Sequence, residues 1–107
     1  KHCIAIGSFE PTVREYPDAI FSRTSNVWVD TLHAKAESGE LAIPLSKGIL
    51  KEGEIITLGA QIASDLQPDS GQYSCTFFKS VGMALFDLQT AKVIYSRARA
   101  TGLGVEL

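Results

Sequence analysis

Short apolar runs alternate along the chain with stretches of helical or loop character. The first run covers residues 3–7 and ends in Gly7, and its continuous apolar pattern is typical of a strand buried on both faces. Residues 27–29 and residues 73–78 form two further runs rich in β-branched and aromatic side chains. Because short helical patterns separate the runs, their order predicts an α/β fold with parallel strands.

Two short helices are predicted in the first half of the chain. Pro17 and Asp18 can open the first, since proline is tolerated in a first turn and an acidic side chain favours the positive end of the helix dipole. Its body would be residues 19–23. The second helix is predicted over residues 32–38, and we expect Gly39 to close it.

The middle of the chain has weaker signals. Residues 43–54 contain one proline and two glycines, so we expect a loop-rich connection with at most one helical turn. Residues 55–58 are extended or enter a helix that continues to Leu66. Residues 67–71 predict a turn before the third strand.

The longest periodic stretch begins at Met83 and continues to about Ala100. Its apolar stripe recurs at spacings of four and three residues, as in an amphipathic helix. The stripe consists of Ala84, Leu88, Ala91, Tyr95 and Ala98. Small side chains on it allow another element to approach closely, and we expect Gly102 and its neighbours to end the helix.

Composition excludes several classes of function. The chain has 107 residues, 45% of them hydrophobic and 21% charged, which is ordinary for one globular domain. A net charge of -2 provides no basic surface for nucleic acid or an anionic membrane. No apolar run approaches the roughly 18 residues needed to span a bilayer, and no signal peptide is visible, so we expect a cytoplasmic location.

The sequence lacks the phosphate-binding half of a nucleotide-binding sheet. No Gly-x-Gly-x-x-Gly is present, and three strands are too few to bury a parallel sheet on both faces. A sheet of this type usually begins with the phosphate-binding βαβ half. Since the chain also does not begin with Met, we expect it to be the second half of a domain in a longer protein.

The best candidate site lies at the carboxyl end of the first strand, because open α/β sheets bind ligands there. Gly7 would let the backbone approach a flat ring or a phosphate, and the Ser8 hydroxyl and amide could donate hydrogen bonds. The alternative is a plain strand-to-helix turn. Glu10 could act as an acid or base, although an exposed loop carboxylate is the safer interpretation.

A second candidate site is the segment from Lys79 to Gly82, at the mouth of the long helix. Amide groups at a helix N-terminus favour a carboxylate, a phosphate or a carboxamide oxygen. The alternative is that Ser80 only caps the helix. The two histidines and two cysteines are too scattered to predict a metal site.

Three segments together resemble one family. HCIAIGSFEPTVREY is similar to its strand-and-loop pattern H-x-N-A-x-G-x-x-x-P, and NVWVDTLHAKAESGEL to x-V-x-V-D-x-x-x-x-A-x-x-x-x-G-E. TFFKSVGMALFDLQTAKVIYSRARATGLG is similar to T-V-F-K-S-V-G-x-A-x-x-D, continued to G-x-G. The chain therefore resembles the C-terminal third of proteins of the ornithine cyclodeaminase/μ-crystallin family.

The resemblance implies an architecture. Residues 1–78 would be the C-terminal half of a Rossmann-type NAD(P)-binding domain. Residues 79–107 would form a helix that returns to a dimerisation and substrate domain outside this chain, and the complete protein would be a homodimer. The cofactor would be NAD or NADP, and the substrate a small amino acid or imine.

The resemblance also implies which residues form the site. Val81 and Phe9 would lie on the substrate side, and no catalytic residue or metal ligand is assigned in this part of the chain. The residues implied to contact the cofactor are Ala5, Ile6, Gly7, Ser8 and Ser80.

The activities implied are hydride transfers at the α-carbon of an amino acid or cyclic imine. Ornithine cyclodeaminases carry an acid/base aspartate where this sequence has Phe9, which cannot transfer a proton, and Ile4 replaces the family's usual Asn. We therefore expect a ketimine reductase acting on pyrroline-2-carboxylate or piperideine-2-carboxylate. The alternatives are ornithine cyclodeaminase or alanine dehydrogenase, a non-catalytic μ-crystallin-like binder of NADPH, and an isolated chain that is inactive.

Overall fold

The computed structural model describes residues 1–64 and 75–105. Within these ranges, four parallel strands form one sheet in the order β1-β4-β2-β3. The strands are β1 (His2–Ala5), β2 (Val27–Val29), β3 (Ile55–Thr57) and β4 (Thr76–Lys79). The predicted α/β fold with parallel strands is therefore confirmed.

Four α-helices and two 3-10 helices accompany these strands in the described ranges. The α-helices are α1 (Ala34–Glu37), α2 (Gly39–Ser46), α3 (Leu58–Ser64) and α4 (Ala84–Thr101). The 3-10 helices cover Asp18–Arg23 and Glu52–Glu54. The first 3-10 helix starts after Pro17 and carries Asp18 in its first turn, as the sequence predicts.

The register of the sheet aligns the carboxyl ends of its strands. Ala5 pairs with Lys79, Lys79 with Val29, and Val29 with Thr57. Because all four strands are parallel, the segments that follow these residues leave the sheet at one edge. Both candidate sites of the sequence therefore lie at the same edge.

One face of the sheet carries the core. Phe77 is fully buried, and its ring meets the edges of Tyr16 at 5.4 Å and Phe21 at 5.5 Å between centroids. The buried hydrophobic residues packed together are Ala5, Val27, Val29, Ala34, Leu41, Leu50, Ile55 and Phe77. The sheet thus buries one face against α1, α2 and the first 3-10 helix.

The opposite face of the sheet is largely uncovered in this chain. Ile4 is 57% exposed there, and a groove of about 360 Å³ runs past Trp28 and Phe78. Among the described residues, α3 lies against this face, where the Trp28 indole donates to Gln61 Oε1 at 3.0 Å. A parallel sheet normally has both faces covered, and the described residues leave much of this face exposed.

The predicted end of the second helix is wrong. Gly39 begins α2 instead of closing a helix, because Ser38 accepts the Glu40 amide at 3.2 Å and acts as its N-cap. The helix then continues to Ser46, where the sequence predicted a loop. Pro44 lies inside it and lacks the amide that would bond to Glu40, a loss that this two-turn helix tolerates.

The remaining element boundaries shift by a few residues. The predicted strand at residues 3–7 ends at Ala5, and the predicted strand at residues 73–78 is described as Thr76–Lys79. Residues 55–58 form β3 and enter α3, as predicted. The predicted turn over residues 67–71 lies outside the described residues.

The long C-terminal helix is confirmed as α4. Met83 is its N-cap, and Gly102 ends it with a left-handed φ of 67°, which glycine adopts without strain. No residue of α4 is buried within this chain: Leu88 is 51% and Tyr95 63% exposed. In the described parts of the chain, no helix is both long and apolar enough to cross a membrane.

We expect Gly39→Ala to destabilise the fold by about 1–3 kcal/mol through overpacking. A Cβ at Gly39 would lie 2.5 Å from the Val13 carbonyl oxygen and 2.9 Å from that of Pro11. Gly59→Ala is the matched control, since its Cβ meets nothing within 4 Å and a helical alanine should stabilise by about 0.4–1 kcal/mol. Equal free energies of unfolding for the two variants in urea would contradict this account.

A candidate site at the carboxyl edge of the sheet

Two segments leave the sheet next to each other and form the candidate site. Residues 6–9 follow β1, and residues 80–82 follow β4, its direct neighbour. The Ser80 amide donates to the Ala5 carbonyl at 3.0 Å, which extends the pairing of the two strands by one bond. The structure therefore brings together the two candidate sites, whose serines, Ser8 and Ser80, are 72 residues apart in the sequence.

The Ser8 side chain faces the interior. Ser8 is only 1% exposed, and its hydroxyl donates to Glu40 Oε2 at 2.7 Å. Since a hydroxyl has one proton, the Ser38 hydroxyl is the donor in the 2.8 Å contact between the two Oγ atoms. The hydroxyl proton that the sequence analysis assigned to a ligand is thus used within the protein.

Glu40 is the acceptor that organises this side of the site. Its buried carboxylate accepts the amides of Tyr16 at 2.7 Å and Glu15 at 2.9 Å, besides the Ser8 hydroxyl. A buried carboxylate is tolerated when several donors satisfy it. Sequence reasoning missed Glu40, although the order Ser38-Gly39-Glu40 could have indicated a capped helix start.

The space beside Gly7 is occupied by Glu15. The Gly7 amide donates to Glu15 Oε2 at 2.7 Å, and a Cβ at Gly7 would lie 2.8 Å from Glu15 Oε1. The sequence predicted that the missing side chain would admit a ligand, whereas in the structure this space holds the carboxylate of Glu15. Because Glu15 is exposed and flexible, a Cβ at Gly7 would displace its end and weaken the bond to the Gly7 amide.

The buried Lys79 side chain links the end of β4 to the segment that follows β1. It is fully buried, and its ammonium donates to the Ser8 carbonyl at 2.6 Å. Burial lowers the pKa of Lys79 below its usual 10.5, while the carboxylates of Glu40, Glu15 and Asp30 act in the opposite direction. Burial of the charged ammonium therefore lowers the free energy of unfolding at pH values below the lowered pKa. This destabilisation decreases as the pH rises towards 10.5, the pKa of an unburied lysine.

Asp30 organises the second segment. It directly follows β2 and is 6% exposed. Its Oδ2 accepts the Ser80 hydroxyl at 2.6 Å, the Gly82 amide at 2.9 Å and the Val81 amide at 3.0 Å. Ser80 is therefore not the cap of α4, whose N-cap is Met83. The amides expected to bind an anion are already hydrogen-bonded to a carboxylate.

The side chains that remain available at this edge are apolar. Ile6 is 71% and Phe9 73% exposed, while Val81 is half-buried against the core and Ala5 is fully buried within it. Exposed apolar side chains beside a hydrogen-bonded backbone suit a flat, uncharged ring better than a phosphate. In the ranges that the structure describes, no cluster of His, Cys, Asp or Glu could hold a metal ion.

We expect Glu40→Gln to lower the free energy of unfolding by roughly 2–3 kcal/mol, because one carboxylate oxygen becomes an amide that faces donors. Glu10→Gln is the control: Glu10 is exposed, and the change should stay within about 0.5 kcal/mol. Urea denaturation monitored by the fluorescence of Trp28 measures both. A loss for Glu40→Gln no larger than for the control would show that the carboxylate does not organise the loop.

Comparison with known proteins agrees with this architecture along the whole chain. The model of the ornithine cyclodeaminase/mu-crystallin family matches residues 1–102. A Delta(1)-pyrroline-2-carboxylate reductase from Bacillus cereus is 34% identical over 105 residues, which cover 96% of this chain and 32% of the relative.

Two solved structures have the same fold. One is Delta(1)-pyrroline-2-carboxylate reductase from Thermococcus litoralis in complex with NADH and L-proline, with a TM-score of 0.81 and 30% identity over 100% of this chain and 33% of that one. The other is an archaeal alanine dehydrogenase dimer with bound NAD, with a TM-score of 0.76 and 29% identity over 100% of this chain and 33% of that one. The chain spans about a third of the length of the relatives it matches. It belongs to the ornithine cyclodeaminase/mu-crystallin family.

Proposed function

We propose that this chain is part of an NAD(P)-dependent reductase of cyclic imine carboxylates such as pyrroline-2-carboxylate and piperideine-2-carboxylate. The observation that carries the proposal is that residues 6–9 and residues 80–82 follow two neighbouring parallel strands and leave the carboxyl edge of the sheet side by side. This arrangement occurs in a chain that is similar over its full length to a pyrroline-2-carboxylate reductase solved with NADH and L-proline. Open α/β sheets bind dinucleotides at this edge.

The cofactor, NAD or NADP, would lie against the first segment. The backbone from Ala5 to Ser8 and the exposed side chain of Ile6 would support the nicotinamide, and Ser80 would bound its end. The nicotinamide supplies the hydride when it is bound. The protein's own contribution at this wall is to hold a planar ring in one orientation and to exclude water.

The substrate would lie beyond the nicotinamide, towards Phe9 and Val81. Phe9 is exposed and carries no exchangeable proton, so this wall can contact an apolar ring but cannot act as an acid or base. Catalysis would then come mainly from placing the imine carbon against the cofactor. The same property disfavours ornithine cyclodeaminase chemistry, which in the family resemblance uses an aspartate at this position.

Alanine dehydrogenase activity is the second candidate. The observation that favours it is the similarity to an archaeal alanine dehydrogenase with bound NAD. Both reactions move a hydride at the carbon that bears the nitrogen. They differ in the substrate, which is contacted mostly by residues outside this chain. The third candidate is a non-catalytic protein of the μ-crystallin type, which would bind NADPH without turnover.

The remaining expectations concern the complete protein. Residues 1–78 would form half of a Rossmann-type domain, and residues 79–107 would carry the chain to a dimerisation and substrate domain. The uncovered face of α4 supports this division, although Lys79 still belongs to β4. A homodimer is proposed from the dimeric alanine dehydrogenase neighbour, and a cytoplasmic location stays a prediction of the sequence.

The test is an assay of the full-length protein with NADH and NADPH. We expect oxidation of one cofactor upon addition of pyrroline-2-carboxylate or piperideine-2-carboxylate, measured by cofactor absorbance. Pyruvate with ammonia and ornithine are the parallel substrates. Turnover of pyruvate alone would replace the proposal with alanine dehydrogenase, and release of ammonia from ornithine would replace it with cyclodeaminase. Cofactor binding without turnover of any of them would support the binder.

A further inference from the structure

Asp30 lies where two strand ends meet. Val29 and Lys79 are paired in the sheet, so the residues that follow them, Asp30 and Ser80, lie next to each other just beyond the last paired row. Asp30 is 6% exposed and receives donors on both oxygens: the Thr31 amide on Oδ1 at 2.7 Å, and three donors of the β4 side on Oδ2. A nearly buried carboxylate with four donors holds its partners in one geometry.

These bonds account for all the donors of the segment from Ser80 to Gly82. The Ser80 amide donates to Ala5, and the amides of Val81 and Gly82 donate to Asp30. The single proton of the Ser80 hydroxyl also points at Asp30 Oδ2, at 2.6 Å. Ser80 therefore has no side-chain proton left for a ligand while it donates to Asp30.

The conformation of the segment also depends on Gly82. Its φ is 91°, in the left-handed region that favours glycine, and a Cβ there would meet nothing within 4 Å. A side chain at this position would thus strain the backbone without a steric clash. The conformation of this turn therefore depends both on the hydrogen bonds to the Asp30 carboxylate and on the positive φ that glycine allows at position 82.

We propose that Asp30 is the positioning residue for the wall formed by Ser80 and Val81, acting through its hydrogen bonds to the segment and not through contact with a ligand. Ser80 shapes the site through the backbone that this carboxylate fixes. The functional part of the inference rests on the proposed reductase function, because the wall has a catalytic consequence only if a nicotinamide and an imine lie against it.

The first measurement is independent of activity. Amide hydrogen exchange of the full-length protein is compared for the wild type, Asp30→Asn and Glu37→Gln, the last being an exposed carboxylate on α1. We expect faster exchange at Val81 and Gly82 in Asp30→Asn, because an asparagine can accept only through one oxygen and its NH2 group faces donors. Unchanged exchange at both amides in a folded Asp30→Asn protein would overturn the proposal.

The second measurement separates positioning from stability. In steady-state kinetics on the folded protein, we expect Asp30→Asn to lower kcat about 10- to 100-fold, since a displacement of about 1 Å at a reacting centre can cost that much. Ser80→Ala removes one of the four donors and keeps both amides, so its loss should be smaller. A purely structural role predicts a lower melting temperature with kcat and KM unchanged. A larger loss for Ser80→Ala than for Asp30→Asn would indicate that the Ser80 hydroxyl itself binds the ligand. Either result would overturn the proposal.

Gly82→Ala provides a second route if Asp30→Asn does not fold. It strains the same turn at an exposed position and leaves the carboxylate in place, so it should show the same faster exchange at Val81 and the same loss of kcat. Wild-type exchange and kinetics in this variant would contradict the proposal. A wild-type protein that neither binds nor oxidises NADH or NADPH would reject the proposed function, and the exchange data would still decide whether Asp30 fixes the segment.

Discussion

The row of residues Ala5, Lys79 and Val29 across the parallel sheet determines where the candidate site lies. In a parallel sheet the next residue of each strand leaves the hydrogen-bonded ladder at the same edge. Each departing segment then carries backbone amides without strand partners, and those amides must be satisfied elsewhere. The candidate site contains the groups that accept hydrogen bonds from these segments.

Two buried carboxylates hold the two segments in place. Glu40 accepts the amides of Glu15 and Tyr16 with the Ser8 hydroxyl, and Asp30 accepts the donors of the segment after β4. Both carboxylates lie in the interior of the protein, where hydrophobic side chains are usual. The consequence is that both segments combine a hydrogen-bonded backbone with apolar side chains, and that every donor of residues 80–82 is already used within the protein.

The order of elements could be predicted from the sequence because it depends on local patterns. The apolar runs at β1 and β2 and the 4-3 spacing of α4 identified these elements within a few residues. The start of α2 has a local signal, the Ser38 cap, that the sequence prediction missed. Its continuation through Pro44 could not be predicted, because a proline inside a helix contradicts local propensity.

The position of the candidate site was predictable, but its hydrogen bonding was not. Gly7, Ser8 and Ser80 were identified at strand ends, where ligands bind. The acceptors of the two serine hydroxyls, Glu40 and Asp30, are remote in sequence and look like ordinary surface carboxylates without the fold. A hydroxyl or an amide indicates a capacity to donate, whereas its actual acceptor depends on the tertiary structure.

We propose that residues 6–9 and residues 80–81 form one wall of a nicotinamide and imine site. A crystal structure of the full-length protein with NADH or NADPH and proline tests it most directly. The account predicts the nicotinamide within about 4 Å of the backbone at Ile6–Ser8 and of Ser80, with proline between the ring and Val81. A nicotinamide bound elsewhere, with both segments facing solvent, would contradict it.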